Sequence, residues 1–185
     1  DTIRISDFSI KLPESCLYLQ NMQGNIPGRE LSGDITANLS PRDFSAFHGG
    51  LREIESSCEA SLSFTLDSTN IGISNLTINT SHDNLKIDIP SASVNNLKDS
   101  SRNVSVKVNN LTFAPSLLHD AKRFTGELPP FVEPLVSTLG EIQLEGSILY
   151  GYQSGNADAR IKTAQGNADL EANLTGRSLH AQFNT

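Results

Sequence analysis

The chain has no tryptophan, a single methionine and only two cysteines in 185 residues. Each shortage excludes something. No stretch approaches the ~18 consecutive apolar residues of a membrane-crossing helix, and no signal peptide is visible. Cys16 and Cys58 are too few for a disulfide scaffold. A bridge between them would need an oxidising compartment, and two separate thiols are the simpler expectation. Basic clusters are missing as well: net charge is −7, and no basic run exceeds Lys122-Arg123. Nucleic acid and anionic membrane surfaces both select clustered cations, so both drop out as partners. Apolar residues make up 37% of the chain, below the ~45–50% of ordinary globular domains, so any interior is modest.

The parts of a catalytic site are also scarce. His48, His82, His119 and His180 are scattered, and no G-x-S-x-G surrounds a serine. Apart from the pair Gly49-Gly50, glycines occur singly, and none forms a phosphate-cradling loop. His82-Asp83 falls in an expected turn and His119-Asp120 on an expected helix, neither with a second ligand at metal spacing. The expectation is a protein without catalytic residues, metal or cofactor.

What the chain does have is alternation. Val106-Lys107-Val108-Asn109-Asn110-Leu111-Thr112-Phe113 reads apolar, polar, apolar, two polar, apolar, polar, apolar. The same eight-position pattern recurs at 3–10, 71–78 and 87–94. Period-2 alternation marks a strand with one buried face. Two successive polar residues invert its phase, so the strand must bulge or bend for both halves to face one interior. Ser, Asp, Asn and Pro fill each break, which suits a bend. The pattern predicts a sheet creased lengthwise and built by repetition.

In chain order, strands are expected over 2–12 and 15–23, joined at Pro13-Glu14, and a third follows the turn at 25–28. Ser40-Pro41-Arg42-Asp43 has the form of a capped helix start, predicting a short helix over about 41–48 that lays Phe44 and Phe47 on the sheet. Strands at 58–67, 71–80, 84–95 and 102–113 follow at regular spacing. A second helical insertion is expected over about 116–139. It begins with Leu117, Leu118, Ala121 and Phe124 on one face, and continues with a stripe of Phe131, Leu135 and Leu139 closed by Gly140. This pair reads either as a lid over an apolar groove or as a hairpin packed on the sheet. Four more strands follow from 141, with turns expected at 154–156, 165–167 and 175–177 and mostly alanine facing inward. Asn-x-Ser/Thr triplets start at Asn38, Asn75, Asn79, Asn103, Asn110 and Asn173. They read as outward Asn and Ser/Thr of alternating strands rather than as glycan sites. Because strand pattern is already in register at Ile3 and persists to Phe183, the chain is expected to be one β-rich segment, residues 1–185, of a longer protein.

The repeated split pattern, the stretch Ile35-Thr36-Ala37-Asn38-Leu39-Ser40-Pro41-Arg42-Asp43-Phe44 and the stretch Leu139-Gly140-Glu141-Ile142-Gln143-Leu144-Glu145-Gly146-Ser147 resemble segments of the TamB/AsmA-like family of bacterial envelope proteins. The resemblance spans most of the chain as pattern. It implies a mostly β fold: a long curled antiparallel or mixed sheet forming a trough, or β-taco, an incomplete barrel here interrupted by two short helical insertions. It also implies a parent anchored in the inner membrane, crossing the periplasm to an outer-membrane partner of the BamA-like type. The implied roles are phospholipid passage and support of outer-membrane protein assembly, without catalytic residues.

The residues expected to line such a groove are Ile3, Ile5, Phe8, Ile10, Leu62, Phe64, Leu66, Ile71, Ile73, Leu76, Ile78, Ile87, Ile89, Val104, Val106, Val108, Leu111 and Phe113. The same set would fill the core of a closed sandwich or barrel, so sequence leaves two readings: a phospholipid-conducting trough, or a structural or adhesive β-module with a closed interior.

Overall fold

A computed structural model of the chain describes residues 2–99, 101–176 and 178–185, and leaves the side chain of Phe124 outside the description. The strands are β1 (Thr2–Lys11), β2 (Cys16–Asn25), β3 (Glu30–Leu39), β4 (Cys58–Leu66), β5 (Ile71–Thr80), β6 (Leu85–Asn95) and β7 (Asn103–Phe113), then β8 (Ile142–Gly151), β9 (Ser154–Thr163), β10 (Gly166–Thr175) and β11 (Ser178–Asn184). They form one sheet in strict sequence order, every neighbour antiparallel. The sheet does not close into a barrel: β1 and β11 are its two edges. The mixed pairing held open by the sequence reading does not occur among these strands.

Two kinds of strand build the sheet. Regular strands, such as β3 with Leu31, Ile35, Ala37 and Leu39, keep one face by unbroken alternation. Slipped strands carry the doubled polar step. Where slipped strands are neighbours, as in β1–β2, β5–β6 and β6–β7, the register runs through unshifted. Where a slipped strand meets a regular one, the register shifts by a bulge: at Gln20/Gln23 between β2 and β3, at Ser61/Ser63 between β4 and β5, and at Val108/Leu111 between β7 and β8. The extra residue is absorbed in part by left-handed backbone, with Asn21 at φ 53° and Asn75 at φ 53°. Asparagine tolerates that conformation better than most residues because its short amide bonds locally.

The helical insertions depart from the sequence expectation. Residues 41–48 do not form one capped helix. Pro41–Phe44 and Gly49–Glu53 are separate 3₁₀ turns, and the Ser40 side chain makes no capping bond. Its hydroxyl instead donates to Glu14 at 2.7 Å, while Asp43 accepts from the Glu14 amide at 3.0 Å, so the capping residues serve the β1–β2 turn. Phe47 is 87% exposed and does not lie on the sheet. The second insertion is a pair of helices, α1 (Leu117–Thr125) and α2 (Val132–Leu139), ended by Gly126 and Gly140 at φ 81° and 71°. The expected stripe is split: Phe131 and Leu135 are exposed, Leu139 is half-buried, and Val136 beside them is buried. The turn after β8 also falls earlier than expected, at Tyr152-Gln153, with Ser154 already in β9. A Cβ at Gly155 would crowd the Tyr150 ring at 3.1 Å, so the ring packs directly on this glycine.

Candidate functional site

Registered partners in an antiparallel pair share a face, so the pairings can be followed across the sheet. One row runs Ile3, Gly24, Leu31, Leu66, Ile71, Val94, Val104, Tyr150, Gly155, Leu174, Leu179, touching all the strands. A second runs Ile10, Leu17, Ala37, Ala60, Ile78, Ile87, Leu111, Leu144, Ile161, Ala168. Between them lie Phe8, Leu19, Ile35 and Leu62 in register, and Phe64, Ile73, Ala92, Val106 and Ile148 in register. Ile5 opposes Met22, Leu76 opposes Ile89, Val108 opposes Gly146, and Phe113 lies between Leu85 and Ile142. All the residues named from sequence as groove lining therefore sit on one face. Met22 confirms the slip within β2. Its side chain lies over Gly33, on the face carrying Leu31 and Ile35, although it is three residues from Leu19.

This face has no second layer. Among the described residues no large side chain is fully buried, and the buried apolar residues are Ala37 and Val136, at 7% and 6% exposure. The two faces differ in chemistry. On the opposite one a polar seam runs beside the bulges: Asn21 donates to Asp34 at 2.7 Å, Ser63 donates to Asp34 at 2.6 Å, and Asn109 donates to Asp88 at 3.3 Å. The Asn21 amide and the Ser63 hydroxyl hold the Asp34 carboxyl below the usual range. The Asn-x-Ser/Thr triplets have the same origin: their middle residues, such as Leu76, Leu111 and Leu174, belong to the apolar face.

The ends of the strands make two unlike lips. At one lip sit the helices. Ala164 donates to the Leu139 carbonyl at 2.9 Å, tying α2 to the β9–β10 turn, and α1 packs on the Gly49–Glu53 turn. Both helices are thus tied to segments that connect strands at this one end of the sheet. A partly buried polar knot fastens α1. The Ser56 hydroxyl is 2.8 Å from His82 Nδ1 and donates to Asp120 at 3.3 Å, and the Asn84 amide donates to the same carboxylate at 3.3 Å. Sequence reasoning missed this meeting of Ser, His and Asp because the three come from separate parts of the chain, the segment before β4, the β5–β6 turn and α1. Its bonds are not ordered as a nucleophile relay, in which the carboxylate holds the histidine. Here Asp120 holds the serine and the asparagine, and joins a helix to a turn.

The opposite lip is bare. A cleft of about 720 Å³ opens there between Arg102, Val104, Tyr150, Tyr152 and Leu174, continuous with the first apolar row. Tyr150 and Tyr152 are both more than half exposed. Rings with a polar tip suit a border between apolar surface and water. Cys16 and Cys58 are free thiols on opposite faces, Cys16 opposing Asn38 and Cys58 opposing Leu39. Burial raises the Cys58 thiol above its usual pKa, aided by Glu59. No group of three or more metal-ligating side chains gathers among the described residues, and no helix there is long and apolar enough to cross a membrane. No protein-family model matches the chain, and neither curated proteins nor solved structures include a similar one.

Proposed function

We propose that this chain is a lipid-guiding segment of a TamB/AsmA-like protein of the Gram-negative envelope, its apolar face carrying the acyl chains of phospholipid between inner and outer membranes. In that reading the parent is anchored in the inner membrane, this segment lies in the periplasm, and a BamA-like outer-membrane protein is the distal partner. The observation that carries the proposal is the pair of rows, apolar apart from Gly24 and Gly155, that cross all eleven strands and the first ten on one face of a single sheet with no fully buried large side chain among the described residues. An acyl chain of ~16 carbons leaving a bilayer must replace roughly 12 kcal/mol of apolar contact, at about 0.8 kcal/mol per CH₂. Isolated surface patches cannot supply that. Eleven strands spaced ~4.8 Å apart give a path on the order of 50 Å, longer than one such tail. The bulges matter because without them half of each slipped strand would present polar groups to the path. The structural or adhesive alternative needs a closed, filled interior, and the lack of fully buried large side chains favours the open reading.

The test is uptake of an environment-sensitive fluorescent fatty acid by the purified chain. Uptake is expected, together with at least a tenfold loss of affinity for Phe64→Asp and Val106→Asp variants that keep their strand circular dichroism. Absence of uptake, or equal uptake by the charged variants, overturns the proposal.

A further inference from the structure

The two lips differ in how their charges are engaged. At the helical lip, Lys122 and Arg123 of α1 are already paired, with Glu133 and Asp120. At the bare lip the exposed Arg102 guanidinium enters no ion pair among the described residues. It lines the cleft of about 720 Å³ together with Asp99, Val104, Tyr150, Tyr152 and Leu174, and that volume is of small-molecule size. Asp99 is fixed within its turn, its carboxylate accepting from the Ser101 amide at 3.2 Å. Val104, Tyr150 and Leu174 belong to the first apolar row, whose members flank the β6–β7, β8–β9 and β10–β11 turns. Tyr150 is the one member of that row with a polar atom in its side chain. The cleft therefore joins the apolar path to water, with a cation, an anion and two tyrosine rings at the junction.

We propose that this cleft seats the headgroup of a zwitterionic phospholipid, its phosphate on Arg102 and its ammonium held by the Tyr150 and Tyr152 rings and Asp99. The inference rests on the reading of the apolar face as an acyl path, and adds which headgroup the path admits and where that headgroup rides. Acyl chains gain by leaving water for the apolar rows, whereas a phosphodiester loses its hydration there, so the headgroup must stay at a lip. A guanidinium is weakly hydrated and presents paired N–H donors that match phosphate oxygens. Tyrosine ring faces attract an ammonium through the negative face of the ring. A headgroup with negative charge alone would suit Arg102 but would meet the Asp99 carboxylate in the same cleft. A zwitterion offers each of the two residues the opposite charge.

Short-chain lipids, titrated below their micelle concentrations into the isotope-labelled intact chain, test it by nuclear magnetic resonance. Dihexanoyl-phosphatidylethanolamine is expected to shift the amides of Arg102, Gln153 and Gly176. It should bind about tenfold more tightly than dihexanoylglycerol, which lacks the headgroup, as one charge-assisted contact provides. Dihexanoyl-phosphatidylglycerol, whose headgroup is anionic, should bind more weakly than the zwitterion. Arg102→Gln should bring phosphatidylethanolamine down to the affinity of dihexanoylglycerol and leave dihexanoylglycerol unchanged. Tyr152→Leu keeps apolar bulk, and should remove the preference for the zwitterion over phosphatidylglycerol. Equal affinities of the three lipids overturn the inference and leave the acyl path standing. Failure of all three to bind removes the path and the headgroup seat together. Glycerophosphoethanolamine, the same headgroup without acyl chains, should bind far more weakly than the lipid. Binding as tight as the lipid's would make the cleft a site for free phosphodiesters and overturn the lipid assignment. Should a variant fail to fold, the comparison of ligands on the unmodified chain still decides.

Discussion

The Asn21 side-chain amide donates to the Asp34 carboxylate at 2.7 Å, across the point where β2 gains a residue on β3. The bond fixes a backbone already turned to φ 53°. Asn21 thus closes the bulge by two means, a tolerated left-handed conformation and a charge-assisted bond.

Asn21→Gly should retain most of the stability, since glycine adopts the same backbone freely. Both variants lose the bond to Asp34, and Asn21→Val should lose about 2 kcal/mol or more beyond the glycine variant, because a β-branched residue resists positive φ. Urea unfolding of both variants measures the difference. Equal losses would mean that the positive φ at residue 21 does not set the bulge.

The second prediction concerns Met22 and Gly33. The Met22 thioether occupies the space that a Cβ at Gly33 would need. Gly33→Ala should destabilise by about 1–3 kcal/mol through overpacking. Adding Met22→Ala should recover part of that loss, because the two sites share one volume. A double-mutant cycle reads the coupling, and strict additivity would place Met22 elsewhere than over the glycine.

The third prediction is a pH dependence at the β4–β5 turn. The Asp67 carboxylate accepts from the Asn70 side chain at 2.8 Å, from the Thr69 and Asn70 amides at 2.7 and 2.8 Å, and from the Thr69 hydroxyl at 3.0 Å. The Asn70 side chain, followed by the Thr69 amide, lowers its pKa from 3.8 to about 2. A carboxyl with a depressed folded-state pKa stabilises the fold above its unfolded value and loses that contribution as pH falls towards the folded one. Stability of the native chain should therefore decline between about pH 4 and pH 2 more steeply than that of Asp67→Ala. Thermal unfolding at half-unit pH steps checks it, and parallel profiles would refute it.

Much of the architecture was legible because each strand declares its own face. Ile3, Ile5, Phe8 and Ile10 announce the slip by their spacing, and the register places them as that spacing requires. The β2 slip was harder to read. Leu17 and Leu19 are followed by Met22 and then Gly24, and a glycine carries no hydropathy to mark the fourth position. The helical start at Ser40 misled for a different reason. Ser40, Pro41 and Asp43 have the right local grammar, but Glu14 and Ser15, distant in sequence, claim Ser40 and Asp43. Tertiary partners outbid a local propensity worth about 1 kcal/mol. The exposed Phe131 and Leu135 show the same limit, since periodicity finds a stripe without saying which side faces the protein. The knot of Ser56, His82, Asn84 and Asp120 was invisible because its members are brought together only by the lip.

Each strand of this sheet is bonded only to those immediately before and after it in the chain. Contacts between near neighbours in sequence close small loops, so any hairpin can nucleate and growth can proceed outward in both directions. Cooperativity in such a ladder decays with distance. Thermal opening should start as fraying at the two outermost rungs and travel inward, with the middle strands the last to exchange their amide protons.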